Sequence, residues 1–221
     1  MKVVILGAGQ VGGMVSYILG HHDDLELVGF VDDSHEMRDA QMHDLPVLGD
    51  VSALAGLRSE GVEGAIVAVG DNQARGRLAE DLTGMGFALV NAIHPSAVIS
   101  RSVKLGKGLI VGAGVVMYVN PTVGDNVFIG PRAVISHDTH VGNNALLSVG
   151  CVVGARVDLE DFTFVGAGAT VQAPGWGPEA RIRVGRNAVV GAGAVVVRDV
   201  PANAIVAGVP AKLLRYKEDK G

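Results

Sequence analysis

Aromatic side chains are scarce in this chain. Five Phe, three Tyr and one Trp make up 4% of 221 residues. Cysteine is rarer still: the single Cys151 excludes an internal disulfide framework and fits a reducing compartment. Basic charge is not in excess, with 18 Lys+Arg against 23 Asp+Glu and a net charge of −5. A mildly acidic chain has no electrostatic footprint for a phosphate backbone, so no nucleic-acid partner is expected. No apolar run approaches the ~20 residues of a membrane span, so no membrane partner is expected either. The opening Met1–Leu6 run is too short for a signal peptide and is broken by Gly7-Ala8-Gly9. A soluble cytoplasmic protein is the expectation. What abounds is glycine: 32 residues in a chain that is 48% hydrophobic. That is about twice the usual ~7% share, and it reads as a folded structure rich in tight turns.

Two periods divide the chain. Up to about residue 92, short aliphatic runs alternate with helix-like segments. Val3–Leu6, Leu25–Val31, Ala65–Val69 and Ala88–Val90 read as strands, and Val11–Leu19 and Arg75–Met85 as helices. This is βαβ logic with a mostly parallel sheet, long enough for one mononucleotide-binding half of a doubly wound fold. The loop Gly7-Ala8-Gly9-Gln10-Val11-Gly12 follows a strand and opens a helix, where backbone amides can approach a phosphate. Asp32-Asp33 end the second strand, as a ribose-binding acid would. Val67-Ala68-Val69-Gly70-Asp71-Asn72 end another strand and line the same crevice. A dinucleotide such as NAD is the usual reading of such a loop, and a turn without ligand is the other. Against NAD stand the single half-fold and the lack of a hydride-transfer domain. Arg75 reads as a phosphate contact or as part of a solvated helix face.

From Ile93 the period becomes six. Every sixth residue from Ile93 to Val171 is a large aliphatic, glycine often follows it, and a small residue such as Ala133, Thr139, Ala145, Cys151 or Ala169 stands four places on. The phase slips across Pro174–Arg183 and resumes at Val184, Val190 and Val196. This is a hexapeptide β-helix with one inserted loop. Three six-residue segments make an 18-residue triangular coil whose aliphatics point to the axis and whose small residues fill the corners. The following glycines are expected to accept strained turn dihedrals, and a narrow interior accounts for the shortage of aromatics. The domains expected are residues 1–92, residues 93–215 and a frayed, charged tail over residues 216–221. Pro174–Pro178, with Trp176, reads either as a mobile cover for a ligand or as a plain insertion.

These repeats, with Gly208-Val209-Pro210-Ala211-Lys212 after the last coil, resemble the left-handed β-helix acyltransferases. The whole chain resembles the sialic acid O-acetyltransferase and bacillosamine-type nucleotide-sugar N-acetyltransferase family. The resemblance implies an α/β plus β fold, a small Rossmann-like domain followed by a left-handed parallel β-helix. It implies a homotrimer with acetyl-CoA in the groove between neighbouring β-helices, against Leu146, Ala155, Ala167 and Ala192. It assigns Gly7, Gly9, Gln10, Asp32, Asp33, Gly70 and Asp71 to a nucleotide sugar. It places the chemistry on a His-acid pair before a hexapeptide Val-Gly, here His137-Asp138 in Ser136-His137-Asp138-Thr139-His140-Val141-Gly142.

Acetyl transfer from a thioester needs a base of near-neutral pKa to take the nucleophile's proton. His137 fits that role, Asp138 would hold its tautomer, and the backbone amide of Ala155, one coil on, would stabilise the oxyanion. His140 is a second base or a structural neighbour. The His137/Asp138/His140 spacing is not that of a helical HExxH or a CxxC site, so no metal is expected. Compared with the family, the first loop has Gly9-Gln10-Val11 and no histidine. Gly130 replaces an Asn, Leu146 a His and Ala155 a Gly. The expected activity is N-acetylation of a nucleotide-linked amino sugar for polysaccharide or glycan biosynthesis. The alternatives are O-acetylation of sialic acid or another sugar, and a non-catalytic trimeric scaffold.

Overall fold

The structure is a computed structural model that describes residues 1–37, 40–175, 177 and 180–218. Two compact units emerge: Met1–Pro95 with Lys107–Ile110, and Ser96–Gly106 with Val111–Gly221.

In the first unit, β1 (Lys2–Leu6), α1 (Gln10–Leu19), β2 (Glu26–Val31), a short hairpin of β3 (Gln41–Met42) and β4 (Leu45–Pro46), α2 (Leu54–Ser59), β5 (Gly64–Val67), α3 (Asn72–Gly84) and β6 (Ala88–Leu89) follow in order. The sheet runs β2-β1-β5-β6, and each neighbouring pair is parallel. Val3, Val4, Ile5 and Leu6 are all buried, the continuous apolar run of a central parallel strand covered on both faces. Leu54, Val62, Leu82 and Phe87 close one side of the core. Helix α2 and the hairpin carry little periodic signal and were not legible from hydrophobic spacing.

The second unit is a β-helix built mostly of two-residue strands. Face I stacks Val98–Ile99, Val116–Met117, Val134–Ile135, Val152–Val153, Thr170–Val171 and Val195–Val196. Face II stacks Lys104–Leu105, Thr122–Val123, His140–Val141, Val157–Leu159 and Ile182–Val184. Face III includes Phe128–Ile129, Leu146–Leu147, Phe164–Val165, Val189–Val190 and Ala204–Ala207. Parallel partners lie 18 residues apart, as in Val116↔Val134↔Val152↔Thr170. The repeating aliphatic closes each of these strands and points inward: Ile129, Ile135, Val141, Leu147, Val153 and Leu159 are fully buried. The small residues fill the corners as expected, and Thr139 satisfies its buried hydroxyl by donating to the Gly154 carbonyl at 2.9 Å. After Val171 the register jumps, Thr170 pairing with Val195, where the inserted loop leaves the coil.

The glycine expectation needs correction. Gly142, Gly154 and Gly166, which follow the aliphatics, are not in left-handed conformations. Their constraint is space: a Cβ on each would lie 2.5–2.6 Å from the backbone nitrogen of Asp161, Ala173 or Ala192 in the next coil. The left-handed residue stands two places later. Asn120, Asn126, Arg132, Asp138, Asn144, Arg156, Phe162 and Asn187 all have φ between 56° and 65° there. Asn and Asp tolerate that region best because their short side chains bond locally.

The tail also departs from expectation. Lys212–Tyr216 forms a strand antiparallel to Ala204–Ala207, with Tyr216 opposite Ala204. Lys217 N donates to the Asn203 carbonyl at 2.8 Å. Tyr216 and Lys217 are therefore held by backbone bonds rather than frayed, and Asp219–Gly221 lie outside the described residues. In the inserted loop Trp176 and Pro178, singled out above as part of a cover, also lie outside them.

Candidate active site

In the first unit the candidate nucleotide residues gather at the carboxyl ends of β1, β2 and β5. Gly7 makes the turn out of β1 at φ 110°, and a Cβ there would meet the Ala68 carbonyl oxygen at 2.8 Å. Gly9 caps α1 with nothing within 4 Å of its missing side chain, so this edge of the loop is open. Gln10 beside it is exposed. Asp32 Oδ2 accepts from Ala8 N at 2.6 Å and Oδ1 from Ser34 N at 2.8 Å. The carboxylate thus fastens the glycine loop to the end of β2, with lone pairs left for a further donor. Asp33 turns aside and accepts from Val51 N at 3.0 Å. Gly70 is exposed across from Val11, and Asp71 caps α3 by accepting from Ala74 N at 2.7 Å.

Arg75 corrects both of its sequence readings. It has no solvent exposure, and its Nη1 donates to the carbonyls of Val69 (3.1 Å) and Gly70 (3.3 Å). Burial pushes the guanidinium down to about 10, so it stays charged at neutral pH. It holds the β5–α3 loop from beneath and meets no phosphate.

In the second unit His137 and Asp138 occupy the corner between faces I and II. Adjacent side chains on extended backbone point apart. The left-handed Asp138, at φ 57°, brings the pair to one side, with His137 Nδ1 and Asp138 Oδ2 2.9 Å apart. Both side chains are about half exposed, at 49% and 48%. The His137 hydrogen bond, and next the Asn120 amide, hold the Asp138 carboxyl below its ordinary value. An ionised Asp138 accepts the hydrogen bond of the Nδ1–H tautomer and so leaves the ring lone pair on His137 Nε2, the arrangement of an oriented general base.

His140 is separate. It lies on the outward row of face II, with Nδ1 2.8 Å from Thr122 Oγ1. Ala155 is the 18-residue successor of His137 on the same corner, and its N–H makes no hydrogen bond among the described residues. Leu146 lies on face III, whereas Ala167 and Ala192 lie on the corner between faces III and I. One chain therefore does not bring Leu146, Ala155, Ala167 and Ala192 into a single groove. No group of three or more His, Cys, Asp or Glu that could hold a metal occurs among the described residues. Neighbours missed in the sequence are Asn120, Arg156 and Arg181. Asn120 and Arg156 lie 18 residues to either side of Asp138, a step the six-residue period already implied.

Comparison with known proteins follows the same division. A family model described as the PglD N-terminal domain matches residues 2–82. Models of the bacterial transferase hexapeptide and of the hexapeptide repeat of succinyl-transferase match residues 120–155 and 156–198. PerB from Caulobacter crescentus, solved in complex with CoA and GDP-perosamine, is 36% identical with a TM-score of 0.76, over 97% of this chain and 98% of that one. The acetyltransferase domain of PglB from Neisseria gonorrhoeae FA1090 is 30% identical with a TM-score of 0.85, over 96% and 99%. A 2,3,4,5-tetrahydropyridine-2,6-dicarboxylate N-acetyltransferase of Enterococcus faecalis is 59% identical over 39 residues, 18% of this chain and 17% of that protein. The chain thus matches only about a sixth of the length of that curated relative. The likeness to PerB and PglB, by contrast, runs through both units and nearly end to end, and on that ground the chain belongs to the PglD-type family of left-handed β-helix acetyltransferases.

Proposed function

We propose that this chain transfers the acetyl group of acetyl-CoA to the amine of a nucleotide-linked amino sugar. The observation that carries the reading is the His137–Asp138 pair, 2.9 Å apart on a corner of the β-helix. His137 Nε2 takes a proton from the acceptor amine as its nitrogen attacks the thioester carbonyl. The Ala155 N–H donates to the oxyanion, and the tetrahedral intermediate collapses with loss of the CoA thiolate. Asp138 stabilises the imidazolium that forms. Residues 1–92 hold the nucleotide at the open loop around Gly9 and Gln10 and at Gly70, while residues 93–215 perform the transfer.

A homotrimer with shared acetyl-CoA grooves suits the outward rows of the β-helix. Face I presents Val98, Val116, Val134, Val152, Thr170 and Val195, and face III presents Phe128, Phe164 and Val189, whereas face II presents Lys104, Thr122, His140, Asp158 and Arg183. Two mainly apolar rows and one polar row suit a closed rotational assembly. No helix among the described residues is long and apolar enough to cross a membrane, and a cytoplasmic role in glycan or polysaccharide synthesis fits the proposed substrates. The amine is favoured over a hydroxyl because PerB, at 36% identity, was solved with GDP-perosamine, an amino sugar.

The test is thiol release from acetyl-CoA across a panel of nucleotide-linked 3- and 4-amino sugars, beginning with GDP-perosamine. Wild type runs beside His137→Ala and His140→Ala. One acceptor should give rapid turnover that falls about 10²-fold or more in His137→Ala and persists in His140→Ala. Turnover that survives His137→Ala removes the base assignment, and failure to bind acetyl-CoA favours the scaffold.

A further inference from the structure

The left-handed corner residues form ladders between coils. After face II, Asn126 Nδ2 donates to Asn144 Oδ1 at 2.6 Å, and Asn187 Nδ2 to Asn203 Oδ1 at 2.9 Å. Each bond joins a corner to its equivalent one coil on and lends the β-helix axial stiffness. After face I the same device runs through the candidate base. Ser102 Oγ accepts from Asn120 N at 2.9 Å, and Asn120 Nδ2 donates to Asp138 Oδ1 at 3.1 Å. Here the ladder's second member is a carboxylate rather than a carboxamide. One oxygen continues the ladder, and the other, Oδ2, is released toward His137 Nδ1. A carboxamide in the same pose would offer that ring an NH2 group.

Asp138 is also gripped from the following coils. Arg181, where the inserted loop rejoins the β-helix, donates from Nη2 to the Asp138 carbonyl at 3.0 Å. Its Nε holds Asp158 Oδ2 at 2.7 Å, and its Nη2 also reaches Asp158 Oδ1. Arg156 Nη1 donates to the Gly177 carbonyl at 2.7 Å, and Arg156 N to the His137 carbonyl at 3.0 Å, tying the same loop to the same corner. The insertion thus supplies contacts that the regular repeat does not make at its other corners.

We infer that Asn120 and Arg181 are positioning residues for acetyl transfer. Asn120 sets the rotation of the Asp138 carboxylate and Arg181 fixes its peptide, so that Oδ2 faces His137. The inference rests on His137 being the base. It predicts that both residues act only through Asp138, and a double-mutant cycle reads that directly.

The variants are Asn120→Gly, Arg181→Lys, Asp138→Asn and the two doubles with Asp138→Asn. Glycine keeps the left-handed backbone at 120 without strain. Lysine keeps a charge for Asp158 but loses the fork. Asparagine at 138 recreates the Asn-Asn ladder seen elsewhere in the β-helix, so the fold survives. We expect Asn120→Gly and Arg181→Lys each to lower kcat by about 10-fold with KM for both substrates nearly unchanged. In the Asp138→Asn background neither should lower kcat further. Equal losses in both backgrounds, or a kcat within twofold of wild type in both single variants, overturn the inference while leaving His137 as base. Full activity in His137→Ala fails the base assignment itself and takes the inference with it.

Discussion

Arg75 Nη1 donates to the Val69 carbonyl at 3.1 Å from a side chain with no solvent exposure. Removing it takes the donor from the Val69 and Gly70 carbonyls and leaves the space the side chain fills. Arg75→Met fills the same length without a donor, and its expected cost is about 2–4 kcal/mol of unfolding free energy, measured by urea denaturation. Because the loop it holds carries Gly70 and Asp71, KM for the nucleotide sugar should rise more than KM for acetyl-CoA. An unchanged denaturation midpoint would show that the buried guanidinium stabilises nothing.

The two glycine environments separate by substitution. At Gly142 a Cβ would press on Asp161 N at 2.6 Å and Glu160 C at 2.7 Å, both backbone atoms that cannot step aside cheaply. Gly142→Ala should therefore cost about 2–3 kcal/mol or more. Gly168 has φ 64° with open space around it, so Gly168→Asn should cost under about 1 kcal/mol. Equal costs for both variants would contradict a steric origin at Gly142.

Asp138→Asn tests the tautomer argument. An amide opposite Nδ1 favours the wrong ring tautomer, and kcat should fall about 10²–10⁴-fold while the acetyl-CoA KM changes little. The stability difference between wild type and variant should be present near neutral pH and disappear in acid. The folded carboxyl is held low by His137 and Asn120, so its contribution is present above the ordinary carboxylate value of about 3.9 and vanishes as pH falls below it. Denaturation curves of wild type and variant should differ at pH 6 and converge at low pH.

Cys151 is buried, and desolvation pushes its thiol from 9.0 up to about 12. The folded state keeps a proton that the unfolded chain releases, so the thiol's contribution is intact below pH 9 and is lost as pH climbs toward 12. Ala133, Ala145 and Ala169 occupy the same place in other six-residue units, which makes Cys151→Ala a well-tolerated reference. Between pH 8 and 10.5 wild type should lose more stability than Cys151→Ala, and the native thiol should resist aromatic disulfide reagents at pH 8. Rapid labelling of folded protein would contradict the burial.

Much of the architecture was written locally. A parallel sheet shows as aliphatic runs such as Val3–Leu6, and a β-helix shows as one buried aliphatic in every six, because each coil repeats the same environment along the axis. The helix-opening glycine loop was legible for the same reason, its requirement being set by its own backbone. The His137–Asp138 pair was found through family resemblance, since six-residue spacing alone marks shape and not chemistry.

Tertiary structure decided the rest. Gly142 is glycine because of Asp161 in the next coil, and no local dihedral requires it. Arg75 reads as a surface cation on a helix until the sheet and the loop close over it. Asn120 stands 18 residues from Asp138, and only the stacking of one coil on another makes them neighbours. Hydrophobic period reports which residues leave water. It carries no record of which polar atoms then face one another across a coil, and the orientation of His137 depends on those contacts.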